Sequence, residues 1–200
     1  ANQEIVNENS ELAPLTAYAK SKVFAEHDLL KLKDENFSPV NLRSATAYGL
    51  SPNLRLDLVV NNLTCSAVTT GFVKLLSDGN ASRPLVHVED MARAFIQVLK
   101  CPEDKIRGEV FNVGYGSQHT LLELVETLNH LLGTDIDPVF GQPRPGDVKH
   151  SLADISRISA IGYSVETGFE DGLAQVVSWI RDHQEIRNEL EIGTYSQSSD

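Results

Sequence analysis

Leu85-Val86-His87-Val88, followed by Glu89-Asp90-Met91, has the pattern of a strand running into a helix. The first four residues are apolar or branched, as a strand requires, and Asp90 stands where it would cap a helix over Met91 to Leu99. Cys101-Pro102 breaks that helix, and Val110-Phe111-Asn112-Val113-Gly114 has the composition of a second buried strand. Working downstream, Thr120-Leu121-Leu122-Glu123 is a capping box opening an amphipathic helix that Gly133 ends. A second box, Thr167-Gly168-Phe169-Glu170, predicts a helix through Trp179 toward His183. Working upstream, Pro14 suits a helix start, and Leu15 to Leu32 follows without a breaker. Asn36-Phe37-Ser38-Pro39 predicts a turn and Val40-Asn41-Leu42-Arg43 a short strand. Thr46 to Asn62 carries few signals: Gly49 and Pro52 imply a loop, with a helix beginning near Leu56. Strands alternating with helices predict an α/β fold with a mostly parallel sheet.

Composition bounds the function. The 200 residues are 41% hydrophobic and 22% charged, ordinary for a globular protein. No apolar run approaches the roughly 20 residues that span a bilayer. The first ten residues have neither the basic nor the apolar region of a signal peptide. The net charge of −11 excludes nucleic acid and anionic membranes as long-range partners, and leaves an anionic small molecule only where arginines concentrate. Cys65 and Cys101 form neither a metal-type pair nor a disulfide framework, so a reducing, cytoplasmic setting is expected. Two Asn-x-Ser/Thr matches, at Asn62 and Asn80, stand alone without any other sign of secretion.

Tyr18 and Lys22 are four residues apart, which on a helix places the phenol and the ammonium on one face. A cation beside a phenol favours the phenolate, and a tyrosine so tuned can exchange a proton with a hydroxyl near neutral pH. The spacing alone is equally that of a surface helix with a lysine stem beside an aromatic ring. The surrounding run, Asn9-Ser-Glu-Leu-Ala-Pro-Leu-Thr-Ala-Tyr18-Ala-Lys-Ser-Lys22, closely resembles the catalytic segment of the extended short-chain dehydrogenase/reductases, the nucleotide-sugar epimerases and dehydratases. Members carry Tyr-x-x-x-Lys, often followed by an acidic residue where Glu26 stands here. Leu42-Arg43-Ser44-Ala45-Thr46-Ala47-Tyr48-Gly49 resembles the family's next strand and loop, with Thr46 for its Asn and Leu50 for its Pro.

Three further segments carry the resemblance. Asn61-Asn62-Leu63 is by itself an unremarked piece of helix; by resemblance Asn62 meets the substrate diphosphate. Arg83-Pro84-Leu85-Val86-His87-Val88-Glu89-Asp90-Met91-Ala92 matches the family strongly. An arginine just before a strand can present its fork to a phosphate, so Arg83 is carried forward as a substrate residue. His87 is expected to be a packed strand residue and Asp90 a helix cap. Pro143-Arg144-Pro145-Gly146-Asp147, followed by Ala153-Asp154, resembles the epimerase loop in which the arginine meets the diphosphate and the aspartate the nucleotide ribose. Arg144 and Asp147 are therefore substrate-binding candidates, and Asp154 is read as a helix N-cap.

The resemblance implies NAD as cofactor, with Tyr18 as proton acceptor and Lys22 binding the nicotinamide ribose. It implies residues 1–50 and 84–114 as the remainder of an NAD-binding Rossmann-like domain. Residues 51–83 and 115–192 form the nucleotide-sugar-binding lobe, with a disordered tail over 193–200. The family's Gly-x-x-Gly-x-x-Gly turn, which lets backbone approach the pyrophosphate, does not occur in this sequence, and the family's catalytic Ser/Thr precedes the tyrosine segment. The expectation is a truncated piece of a longer enzyme, with little activity alone and an apolar edge that aggregates or dimerises abnormally. A 4-epimerase of UDP-hexose or UDP-N-acetylhexosamine is the expected activity, with a 4,6-dehydratase or a silent sugar-nucleotide-binding module as alternatives. A homodimer through the Tyr-x-x-x-Lys helix is implied by resemblance.

Overall fold

The computed structural model describes residues 5–52, 54–142 and 152–183. Its elements run β1 (Ile5–Val6), α1 (Ala17–Lys31), β2 (Asn41–Ser44), β3 (Thr46–Tyr48), α2 (Val59–Thr70), β4 (Lys74–Leu75), β5 (Ser82–His87), α3 (Val88–Lys100), β6 (Val110–Val113), β7 (Gln118–Thr120), α4 (Leu121–Leu132), β8 (Val139–Phe140), β9 (Leu152–Ala153), α5 (Ser156–Ser159) and α6 (Phe169–Asp182). The α/β class expected from the strand–helix alternation is the class observed.

The pairing is mostly parallel, as expected. β2 runs beside β6 with Asn41 opposite Val110, and β3 continues beside β5 with Tyr48 opposite His87. Ala45 links the two strands, its N–H donating to the Val113 carbonyl at 2.7 Å. The one antiparallel pair among the described residues sets β5 against β7, with Arg83 opposite His119. Short parallel pairs join β1 to β9 and β4 to β8.

Strand alternation divides the core. Leu85 faces a cluster with Tyr48, Leu63, Leu75, Leu124 and Leu173, whereas its neighbour Val86 faces Ala94, Phe111, Val113 and Ile158. β5 is thus covered on both faces at Leu85 and Val86, which is why two successive residues there are apolar instead of alternating. Helices α2, α4 and α6 cover the first face, and α3 and α5 the second.

Several local expectations need correction. The cap of α1 is Thr16, whose hydroxyl accepts from the Ala19 N–H; Pro14 lies two residues earlier. α2 begins at Val59, not near Leu56. α3 begins at Val88 with His87 as its cap, so Asp90 sits inside the first turn and does not cap its own helix. The second capping box does not form: α6 is entered through Gly168 with no side-chain cap. Asp154 lies one residue before the cap of α5, where its carboxylate accepts from the N–H and hydroxyl of Ser156 and is held below the usual carboxylate range by them. The Thr120–Glu123 box forms reciprocally, and Gly133 ends α4 with φ of 67°.

Candidate functional site

Helix α1 forms from a run of alanine, lysine and leucine under the Thr16 cap. Tyr18 and Lys22 share one exposed flank of the helix, away from Phe24, and the Lys22 Nζ lies 5.3 Å from the centre of the Tyr18 ring. Tyr18 is 72% exposed, so the phenol is open to a ligand. Neither the Tyr18 hydroxyl nor the Lys22 ammonium is hydrogen-bonded within the described residues, which leaves both polar ends available.

The inward side of α1 is the partly buried row Ala19, Val23, Glu26 and Leu30. Glu26 takes both forks of Arg43 on β2, at 2.9 and 2.6 Å. The Glu26 hydrogen bond raises the Arg43 guanidinium above its ordinary value, against the opposing effect of burial. The third nitrogen of Arg43 donates to the Glu8 carbonyl at 3.0 Å, and the Glu8 carboxylate accepts from the Asn112 N–H on β6 at 2.7 Å. The sequence reading noticed Glu26 and Arg43 only as parts of motifs and missed that they face each other.

The loop before α2 is held by side chains of α2 itself. Asn61, buried in α2, accepts from the Gly49 N–H at 3.3 Å and donates to the Arg55 carbonyl at 3.1 Å. Asn62 donates to the Leu56 carbonyl at 2.9 Å, so its amide nitrogen holds the loop. Arg55 is locked bidentate by Asp57 at 2.6 Å, and its guanidinium is raised chiefly by that hydrogen bond, with a smaller contribution from Tyr18.

Arg83 lies within β5 and not just before it, half-buried opposite His119. His119 stacks on Phe169 at 3.9 Å between ring centres, and burial lowers its pKa. Arg144 and Asp147 lie outside the described residues. His87 is packed as expected, 1% exposed, with its Nδ1 accepting from the Glu89 N–H at 3.4 Å and burial lowering its pKa. Asp90 has a structural use: its carboxylate accepts from the N–H groups of Glu166 and Thr167 and from Arg93, pinning the turn before α6 to α3. No group of His, Cys, Asp and Glu among the described residues is arranged to hold a metal ion. No described helix is long and apolar enough to cross a membrane.

The model of the NAD-dependent epimerase/dehydratase family matches residues 1–114, more than half of the chain. The chain belongs to this family. It is 25% identical over 181 residues to a putative UDP-glucose 4-epimerase of Methanocaldococcus jannaschii, covering 89% of this chain and 57% of that protein. It is 32% identical over 183 residues to a dTDP-glucose 4,6-dehydratase of Streptomyces niveus, covering 89% and 52%. The fold matches that of the UDP-glucuronic acid 4-epimerase of Bacillus cereus, solved with UDP-glucuronic acid and NAD, with a TM-score of 0.82, 27% identity, and coverage of 91% and 58%. The chain thus spans little more than half the length of these family members.

Proposed function

We propose that this chain is the C-terminal part of an NAD-dependent nucleotide-sugar 4-epimerase acting on a UDP-hexose or UDP-N-acetylhexosamine. The observation that carries the reading is the exposed Tyr18–Lys22 pair on one side of α1, with both polar ends free of other described groups. That donor set fits the nicotinamide-ribose end of NAD: an ammonium to hold ribose hydroxyls and a phenol beside it. NAD, when bound, supplies the hydride acceptor and donor at the sugar C4.

Tyr18 removes the proton of the 4-hydroxyl and returns it after the sugar has turned over. Lys22 holds the ribose hydroxyls, its ammonium lying beside the Tyr18 ring. Asn62, Arg83, Arg144 and Asp147 anchor the diphosphate and the nucleotide ribose, the arginines by charge-assisted forks. Residues 1–50 and 84–114 belong to the cofactor-binding domain and residues 51–83 and 115–192 to the substrate lobe. The chain pairs as a homodimer through α1, whose outer side carries the exposed Phe24 and Leu32.

A 4,6-dehydratase is the second reading, favoured by the 32% identity to the Streptomyces niveus enzyme. Incubating the full-length protein with UDP-glucose, UDP-N-acetylglucosamine and dTDP-glucose, and following the sugar protons by NMR, separates the two. A C4-inverted sugar is expected; a 4-keto-6-deoxy product moves the protein to the dehydratases. Tyr18→Phe should abolish turnover while UDP binding persists, and unchanged turnover refutes the assignment.

A further inference from the structure

The helix that carries Tyr18 and Lys22 has no fully buried residue. Among the described residues, its apolar contact with the body is through the partly covered Ala19, Val23 and Leu30, and so few covered apolar side chains leave the helix rotation weakly specified. Glu26 occupies the same row, one helical turn beyond Lys22, where an apolar residue would be the ordinary choice. Its carboxylate is 12% exposed and the Arg43 side chain 24%, and the two meet in a planar, two-bond fork. A fork of this kind fixes direction as well as distance. Arg43 is in turn fixed from β2, and its remaining nitrogen donates to the Glu8 carbonyl.

We infer that Glu26 and Arg43 are the positioning pair of the active site: their fork sets the rotation and height of α1 and thereby aims Tyr18 and Lys22. The inference rests on the reading of those two residues as the reacting pair. The leverage follows from helix geometry. Side chains lie about 5–6 Å from the helix axis, so a rotation of roughly 10° moves the Tyr18–Lys22 face by about 1 Å. A misplacement of about 1 Å at a reacting centre can cost roughly a hundredfold in rate. Substrate-diphosphate groups on α2 and β5 do not ride on α1, so their binding is independent of the fork.

The test uses the full-length protein, with Glu26→Gln, Arg43→Lys, and the exchange Glu26→Arg with Arg43→Glu. Each single variant should lower kcat by about ten- to a hundredfold, leave UDP affinity within about twofold, and keep the far-UV circular dichroism of the parent. The exchanged pair should recover part of the lost kcat; a merely structural loss would instead lower UDP affinity and turnover together. Unchanged kcat in folded Glu26→Gln and Arg43→Lys overturns the inference, as does an equal loss of UDP affinity and turnover. Should Glu26→Gln fail to fold, Arg43→Lys, which keeps the charge and loses the fork, decides by the same readouts. Tyr18→Phe run alongside separates the two levels: if it turns over normally, the reading of the site itself fails, whatever the fork variants do.

Discussion

Gly172 sits inside α6, where alanine would ordinarily be the better residue by about 1 kcal/mol. Here the reverse is expected. A methyl group at Gly172 would lie 2.8 Å from the Tyr48 hydroxyl oxygen and 3.0 Å from both His87 Cδ2 and Tyr48 Cε2. Neither ring can withdraw: each is 1% exposed, and they meet edge to face with centres 5.2 Å apart. Overpacking of this kind costs roughly 1–3 kcal/mol. Set against the propensity gain, Gly172→Ala should destabilise by up to about 2 kcal/mol, or up to about 8 °C in Tm for a domain of this size. Thermal unfolding followed by circular dichroism reads the difference. The Tyr48 hydroxyl, buried with no partner among the described residues, is the nearest obstacle. Tyr48→Phe removes it, so Gly172→Ala in that background should cost about 1 kcal/mol less than in the parent. A higher Tm for Gly172→Ala in the parent background would refute the reasoning, because it would mean that α6 is not seated on the two rings as described.

Two further outcomes follow from buried charge and buried imidazole. Asp90→Asn should destabilise by about 2–4 kcal/mol, because a carboxylate accepting from two backbone N–H groups and Arg93 is replaced by a group that must turn an N–H donor toward other donors; urea titration checks this. Stability should also fall as the pH drops below about 6.5. His87 has a folded pKa below its unfolded value, so the unfolded state binds the extra proton; the neutral ring's contribution is complete above 6.5 and is lost as pH falls toward the folded pKa. The slope from this one group cannot exceed about 1.4 kcal/mol per pH unit, and His87→Gln should flatten the dependence between pH 5 and 6.5 in urea midpoints.

The parts of this fold that were legible in the sequence are those set by neighbours in the chain. The β5–α3 unit announced itself by an apolar run ending at an acidic helix start, and α4 by a Thr–Glu box whose two hydrogen bonds span three residues. Asp90 was misassigned because an acid favours both the cap and the first turn of a helix; what separates the two is the Glu166–Thr167 turn, some 76 residues away. The Thr167 box failed for a related reason, since its hydroxyl accepts from Arg93 instead of capping α6. Between Tyr48 and Val59 no periodicity exists to read: the loop is held by the Asn61 and Asn62 amides reaching back to its carbonyls. At the site, the Tyr18–Lys22 juxtaposition is pure helix spacing and was legible. The partner of α1 at Arg43 comes from another element and was not.

The two sides of α1 pose one physical problem together. Its inner row is too small and too polar to hold it by apolar burial, while Leu15, Phe24 and Leu32 stand more than half exposed on or beside its outer side. A helix with such an outer surface gains most of its burial from whatever covers it, here the second copy in the proposed homodimer. Non-directional apolar contact from outside would press the helix onto the body without choosing its rotation. The directional choice then falls to the Glu26–Arg43 fork on the inside. On this division of labour, loss of the outer contact loosens α1 as a whole, whereas loss of the fork leaves it seated but turned. The first should lower stability and turnover together, and the second should lower turnover by far more than UDP affinity.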